Sequence, residues 1–195
     1  MTMTINTSAK VNGPDLAFAI NAKVKAAQAK VGKENVINAV LGTLADDDGN
    51  IIALDSVYNR LESMDRGLIA SYAPIEGEKD FRETVLKLLF EDYRPDAYLS
   101  AIATPGGTGA IRNGIFSFAD VGDPVICHDY FWQPYQKICN EFDREFRTYN
   151  FFTRDYKFDI DAYKASQDEA LKDNDRLVSI INSPGNNPTG YSLSD

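Results

Sequence analysis

Between Tyr98 and Asn182, short apolar runs alternate with longer segments whose apolar residues recur at helical spacing. The runs are Tyr98–Thr104, Val125–His128, Glu145–Phe151 and Leu177–Asn182. The segments between them are Thr108–Phe118, Phe131–Phe142 and Asp159–Asp168. Strand-length runs separated by single helices predict βαβ units, hence an α/β fold with a largely parallel sheet and right-handed crossovers. Ligands of such folds sit beyond the carboxyl ends of the strands. Three segments fall there: the glycine turn after Thr104, Asp129–Trp132 after His128, and Asn182–Gly190 after Ile181.

The part before Tyr98 is less regular. Residues 1–13 are small and polar and read as an arm. Pro14 and Asp15 open a helix with apolar positions at Leu16, Ile20, Val24, Ala27 and Val31, closed by Gly32. Val36–Leu41 reads as a short buried strand ending at Gly42. Asp46–Asn50 reads as a polar turn, because the ligand spacing and terminal Glu of a calcium loop are absent. Asp55–Met64 reads as a helix with Val57, Leu61 and Met64 on one face. Ser71–Gly77 is extended and turn-rich. Glu78–Phe90 predicts a helix burying Phe81, Val85, Leu88 and Leu89, and Asp92–Asp96 a loop.

Composition narrows the function classes. The 195 residues carry a net charge of −9, which disfavours nucleic acid and anionic membrane as partners. Two cysteines without a disulfide-like pattern suit a reducing compartment. No basic stretch followed by a long apolar run opens the sequence, and a cytoplasmic location is expected. The sequence stops just after a turn signal. Ser194 and Asp195 resemble the cap of a helix that does not begin, so a partial chain is expected.

The stretch Ala103–Arg112 contains Gly106, Gly107 and Gly109 around Thr108. A glycine turn between strand and helix aims backbone N–H groups and the positive end of the helix dipole at one point, which suits a phosphate. A P-loop would need Lys and then Ser or Thr after the glycines, but Ala110 and Ile111 follow. A dinucleotide fingerprint is half present. Gly107-Thr108-Gly109 supplies its start and Asp129 follows about 20 positions later, but Arg112 stands where the third glycine belongs. The remaining strand ends offer other chemistry. Trp132, the single tryptophan, can stack on a flat heteroaromatic ring. In Ser183-Pro184-Gly185-Asn186-Asn187-Pro188-Thr189-Gly190, Pro188 keeps Asn187 out of the helical region, so its amide can face a ligand.

Together these motifs resemble the fold-type I pyridoxal-phosphate (PLP) enzymes, in particular the class I aminotransferases of the aspartate and aromatic amino-acid group. The resemblance runs from about Val36 to the last residue. It rests on Asn187-Pro188-Thr189-Gly190, Gly106–Ala110, Tyr72–Gly77, and Trp132 following Gly122-Asp123-Pro124-Val125. It implies an incomplete three-layer PLP-transferase-like large domain with a mostly parallel sheet. Residues 1–50 would be an N-terminal arm and part of a small domain, and residues 51–195 the first part of the large domain.

The resemblance also implies roles. Gly106, Gly107 and Thr108 would hold the cofactor phosphate, Trp132 would stack on its pyridine ring, and Asn187 would donate to its phenolic oxygen across a cis Asn187–Pro188 bond. Gly42 would let the main chain lie close to the substrate carboxylate. Tyr72 would reach the phosphate of a neighbouring subunit, making the enzyme a homodimer. Some relatives carry a His where this chain has Tyr135. His128, Cys127 and Cys139 read as core residues. The lysine that bonds the cofactor aldehyde lies beyond the Asn-Pro-Thr-Gly turn in this family, so it would fall past Asp195 and leave no catalytic residue here. The implied activity of the parent is amino-group transfer between an amino acid and a 2-oxo acid, and the fragment alone is expected to be inactive. Other PLP reactions such as β-elimination share the scaffold. A dinucleotide-binding oxidoreductase domain and a non-catalytic domain of the same fold are the alternatives.

Overall fold

A computed structural model describes residues 16–40 and 42–193. The expectations for residues 1–15, for Leu41 and for the Ser194–Asp195 cap lie outside the described residues. The rest falls into two compact units, one ending at Pro74 and the other beginning at Ile75.

In the first unit, α1 (Leu16–Val31) ends at Gly32, whose amide donates to Gln28 O at 3.0 Å. The expected strand at 36–41 does not form in its described part. Residues 36–40 join no ladder among the described residues, bonding instead to α1 through Gln28–Val36 and Asn38–Asn21, and Ile37 is 93% exposed. An apolar run becomes a strand only where a neighbour completes its ladder and a layer covers it, and the described residues supply no such neighbour. The Asp46–Asn50 turn does form. Gly49 N and Asn50 N both donate to Asp46, and Ala45 bridges Ile51 in an antiparallel pair. Helices α2 (Asp55–Glu62) and α3 (Arg66–Ala70) follow, the latter capped by Asp65, whose carboxylate accepts from Leu68 N at 3.0 Å.

The second unit opens with α4 (Lys79–Phe90). Its expected inner face is instead solvent-facing, since Phe81, Val85, Leu88 and Leu89 are all exposed. The half-buried stripe is Arg82, Leu86 and Phe90, spaced i, i+4, i+8. Residues 98–104 form no strand either, because no described strand lies beside them. The contact that anchors them is Ala103 N to Glu76 O at 2.9 Å.

From Gly106 onward the alternation is realised as α5 (Gly106–Phe118), β1 (Pro124–His128), α6 (Pro134–Glu141), β2 (Glu145–Tyr149), α7 (Ile160–Ala170) and β3 (Val178–Ser179). Both strand pairings of the sheet are parallel and the order is β2-β1-β3. The central strand β1 is buried along its whole length, as suits a sequence that is apolar up to its last residue, His128. It registers Val125 with Phe146 and Val178, and His128 with Tyr149.

Strand alternation sorts the two faces. Val125 packs with Ile115 and Ala119 at the end of α5 and with Ile138 and Cys139 of α6. On the opposite face, Tyr149 meets Tyr163 of α7, whose hydroxyl lies 3.2 Å from Ser179 Oγ. Helices thus cover both sides of the sheet, giving three layers. Both cysteines are fully buried and unpaired, as expected. Burial pushes the Cys127 thiol up to about 12 and the Cys139 thiol up to about 11.

Candidate cofactor site

The glycine turn is built by its own backbone. Gly106 takes φ +68°, a conformation that favours glycine, and its amide donates to Thr104 O at 2.7 Å. Thr104 Oγ1 returns a hydrogen bond to Gly106 O at 2.9 Å. The Gly106 amide is therefore engaged, and the donors left at the start of α5 are the Gly107 and Thr108 amides and the Thr108 hydroxyl. First-turn amides have no acceptor inside their own helix, and Pro105 at the N-cap offers no capping side chain. A Cβ added at Gly106 or Gly107 would meet no atom within 4 Å, so the ground in front of these donors is open. At Gly109 it would come to 2.8 Å from Pro105 Cδ, so glycine there serves the packing of turn on helix.

Packing sets the direction of this helix end. Ile115 of α5 and the following Ala119 pack with Val125, near the start of β1. In an α/β layer a helix runs antiparallel to its strands, which puts its N-terminus on the side of the strands' carboxyl ends. The two other loops leave from the same edge of the sheet. After β1, Asp129 N donates to Tyr149 O and Asp129 Oδ1 accepts from Phe151 N, both at 2.9 Å. Trp132 is half-buried and rests edge-on against Tyr135, 5.5 Å between centroids. Tyr135 itself is buried, which raises its hydroxyl pKa. Arg112 faces the helix layer, paired with Glu141 and 4.8 Å over the Phe142 ring.

After β3 the chain folds into a tightly bonded turn. The peptide bonds before Pro184 and Pro188 are both cis, the second as the resemblance implies. Gly185 N donates to Ser192 Oγ at 2.9 Å, and Leu193 N to Ser183 Oγ at 3.1 Å. Asn187 N donates to Asn182 Oδ1 at 2.8 Å, whereas the Asn187 side chain is exposed and meets no described partner. Tyr191 pins the turn to the body, with its ring against Phe151 and Phe152 and its hydroxyl accepting from Phe158 N at 3.3 Å.

Beneath this edge lie His128 and Asn186, 2% and 1% exposed. His128 stacks on Phe151 at 3.9 Å, and both its ring nitrogens lack a hydrogen bond, as does Asn186 Oδ1. Burial lowers the His128 pKa, and the nearby Asn186 amide and Asp129 offset this only in part. It is a core histidine, as expected. Among the described residues no group of His, Cys, Asp and Glu could hold a metal ion.

The remaining predicted site residues, Gly42 and Tyr72, belong to the first unit. A Cβ at Gly42 would meet nothing within 4 Å, and Tyr72 is fully exposed. The dinucleotide alternative loses its ribose-binding acid, because the Asp129 carboxylate is tied to the Phe151 amide. Sequence reasoning missed Asn186, whose bonds are made to residues distant in sequence. Its position directly before Asn187 was the one available signal.

An uncapped glycine helix start, a half-buried tryptophan and an exposed asparagine side chain on an α/β layer are chemically suited to a phosphate-bearing aromatic cofactor. The comparisons narrow it further. Residues 34–195 match the family model for aminotransferase class I and II, and the chain belongs to that family. The aspartate and aromatic members are PLP-dependent, and the open donor cradle, Trp132 and Asn187 fit that cofactor. The chain is 65% identical to a crystal structure of an aminotransferase from Anaerococcus prevotii, with TM-score 0.93, covering 100% of this chain and 47% of that one. It is 25% identical to the aromatic-amino-acid aminotransferase of Paracoccus denitrificans, covering 94% of this chain and 46% of the relative. The cytoplasmic aspartate aminotransferase of Saccharomyces cerevisiae shares the fold, with TM-score 0.73 at 19% identity over 99% of this chain and 47% of that one. The chain thus spans about half the length of these relatives.

Proposed function

We propose that this chain is the cofactor-holding part of a PLP-dependent aminotransferase that moves an amino group between an amino acid and a 2-oxo acid. The observation that carries the reading is the open, uncapped start of α5 on the same sheet edge as Trp132 and the unpartnered Asn187 amide. When bound, PLP supplies an aldehyde that takes up the amino group and a ring that accepts electron density from the substrate α-carbon. The Gly107 and Thr108 amides and the Thr108 hydroxyl bind its phosphate at the positive end of the helix dipole, with Gly106 shaping the turn. Trp132 covers one face of its ring. Asn187 donates to its phenolic oxygen and so stabilises the charge there.

The three loops at this edge contain no lysine. The amine that would bond the cofactor and move the α-proton is therefore assigned to a lysine outside these loops, and no residue at this edge is assigned a catalytic role. Residues 1–50 are assigned to an arm and part of a small domain, and residues 51–195 to the large domain. Gly42 is assigned to the substrate carboxylate. Tyr72, fully exposed in its own unit, is assigned to the phosphate of a partner subunit in a homodimer. A cytoplasmic location is supported by the two free buried cysteines. No described helix is long and apolar enough to cross a membrane.

The test is chromatographic detection of a new amino acid when the full-length protein is incubated with PLP, an amino-acid panel and a 2-oxo acid. Transfer that stops on cofactor removal and returns with PLP supports the reading. PLP binding with no transfer to any 2-oxo acid points to another PLP reaction or a non-catalytic domain.

A further inference from the structure

The residue before Asn187 holds the proposed site together. Asn186 is 1% exposed, and its Nδ2 donates both to Tyr130 O at 3.2 Å and to Thr189 Oγ1 at 2.9 Å. Its backbone closes the turn, with Asn186 N donating to Tyr191 O at 2.7 Å and Gly190 N donating to Asn186 O at 2.6 Å. Thr189 Oγ1 accepts a further bond from Tyr191 N at 3.2 Å.

Tyr130 stands two residues before Trp132. Among the described residues, the Asn186–Tyr130 hydrogen bond is the one that joins segment 129–135 to segment 182–193. We propose that Asn186 is a positioning residue. Its buried carboxamide sets the distance between the loop carrying Trp132 and the turn carrying Asn187, and thereby fixes the two groups that grip the cofactor ring.

The chemistry explains the residue type. One amide NH2 presents two hydrogens in a plane, so a single short side chain satisfies two acceptors in different loops. An aspartate of the same size keeps an oxygen toward His128 but loses both donors. The Asn186 side chain is buried while Tyr130 is 50% exposed, so a Tyr130 carbonyl that loses its donor is free to turn to water, and the loop is released from the turn.

This inference rests on the PLP reading, and its test separates the two. Hydrogen exchange of the full-length, cofactor-free protein is followed by mass spectrometry in segments 129–135 and 183–193, and PLP affinity is measured by titration. Asn186→Ala and Asn186→Asp should each speed exchange in both segments and weaken PLP binding by about tenfold or more, as when one contact to the cofactor ring is misplaced. Exchange in 124–128 should be unchanged. Asn187→Ala should weaken PLP without affecting 129–135, which distinguishes direct contact from positioning. If Asn186→Ala does not fold, Asn186→Asp carries the same prediction. Faster exchange confined to 183–193, or PLP affinity within about twofold of the parent in the Asp variant, overturns the inference. If the parent protein binds no PLP, the cofactor reading fails, while exchange in 129–135 still reports whether Asn186 ties the loops.

Discussion

The Asp129 carboxylate accepts a hydrogen bond from the Phe151 amide at 2.9 Å. The last register pair of the β1–β2 ladder is His128 with Tyr149, and one step further a side chain replaces a backbone acceptor. The loop that carries Trp132 therefore leaves the sheet from a fixed point rather than a frayed strand end. Asp129→Ala should lower stability by about 1 kcal/mol in urea denaturation, the net worth of one such bond. Asp129→Asn keeps an oxygen in place and should lose less than half of that.

The glycines of the proposed phosphate turn should separate by function. At Gly109 an added Cβ would stand 2.8 Å from the Pro105 ring, so Gly109→Ala should destabilise the protein by about 1–3 kcal/mol through overpacking. At Gly107 the same methyl meets nothing, and alanine favours a helix, so stability should hold or rise slightly. The methyl would, however, stand in the open ground proposed for the phosphate. Gly107→Ala should therefore weaken PLP binding by about tenfold or more while thermal stability is retained.

Both thiols should be silent in the folded protein. Their pKa values are raised by burial to about 12 for Cys127 and about 11 for Cys139. A thiol-specific chromogenic reagent near neutral pH should report no reactive cysteine until denaturant is added, and two afterwards. The sign of the linkage follows. A folded-state pKa above the ordinary 9.0 gives stability that is present below pH 9 and lost as pH rises toward those raised values. The urea midpoint should fall between pH 9 and 11, and less steeply in Cys127→Ala.

His128 produces the opposite slope. Burial lowers its pKa below the ordinary 6.5, so the unfolded chain takes up a proton that the folded one resists. Stability is thus present above 6.5 and lost as pH falls below it. Between about pH 7.5 and pH 5.5, where imidazole titrates and ordinary carboxylates largely do not, the urea midpoint should drop. His128→Phe, which keeps a ring against Phe151, should flatten that drop.

What the sequence disclosed follows a physical line. From Gly106 onward each helix is amphipathic and each strand finds a described partner, β2 one helix from β1 and β3 two helices from it, so local pattern and tertiary structure agree. The strands expected at 36–41 and 98–104 failed in their described parts because a strand is a property of a pair, and an apolar run does not say whether its neighbour is present. The inner face of α4 was misplaced for a related reason. Phe81, Val85, Leu88 and Leu89 form a consistent stripe, yet the stripe at 82, 86 and 90 is the one that packs. At the candidate site, residue types with distinctive shapes were legible: the glycines, the tryptophan, and an asparagine before proline. Hidden were the engaged Gly106 amide and the role of Asn186, which depends on a carbonyl 56 residues away.

The central claim is that one edge of this sheet holds PLP, and the direct measurement is a crystal structure of the full-length protein with PLP bound. The account predicts phosphate oxygens on the Gly107 and Thr108 amides and the Thr108 hydroxyl. The Trp132 ring should lie on the pyridine, and the Asn187 amide should meet the phenolic oxygen. A phosphate bound elsewhere, with the start of α5 left to solvent, would contradict it.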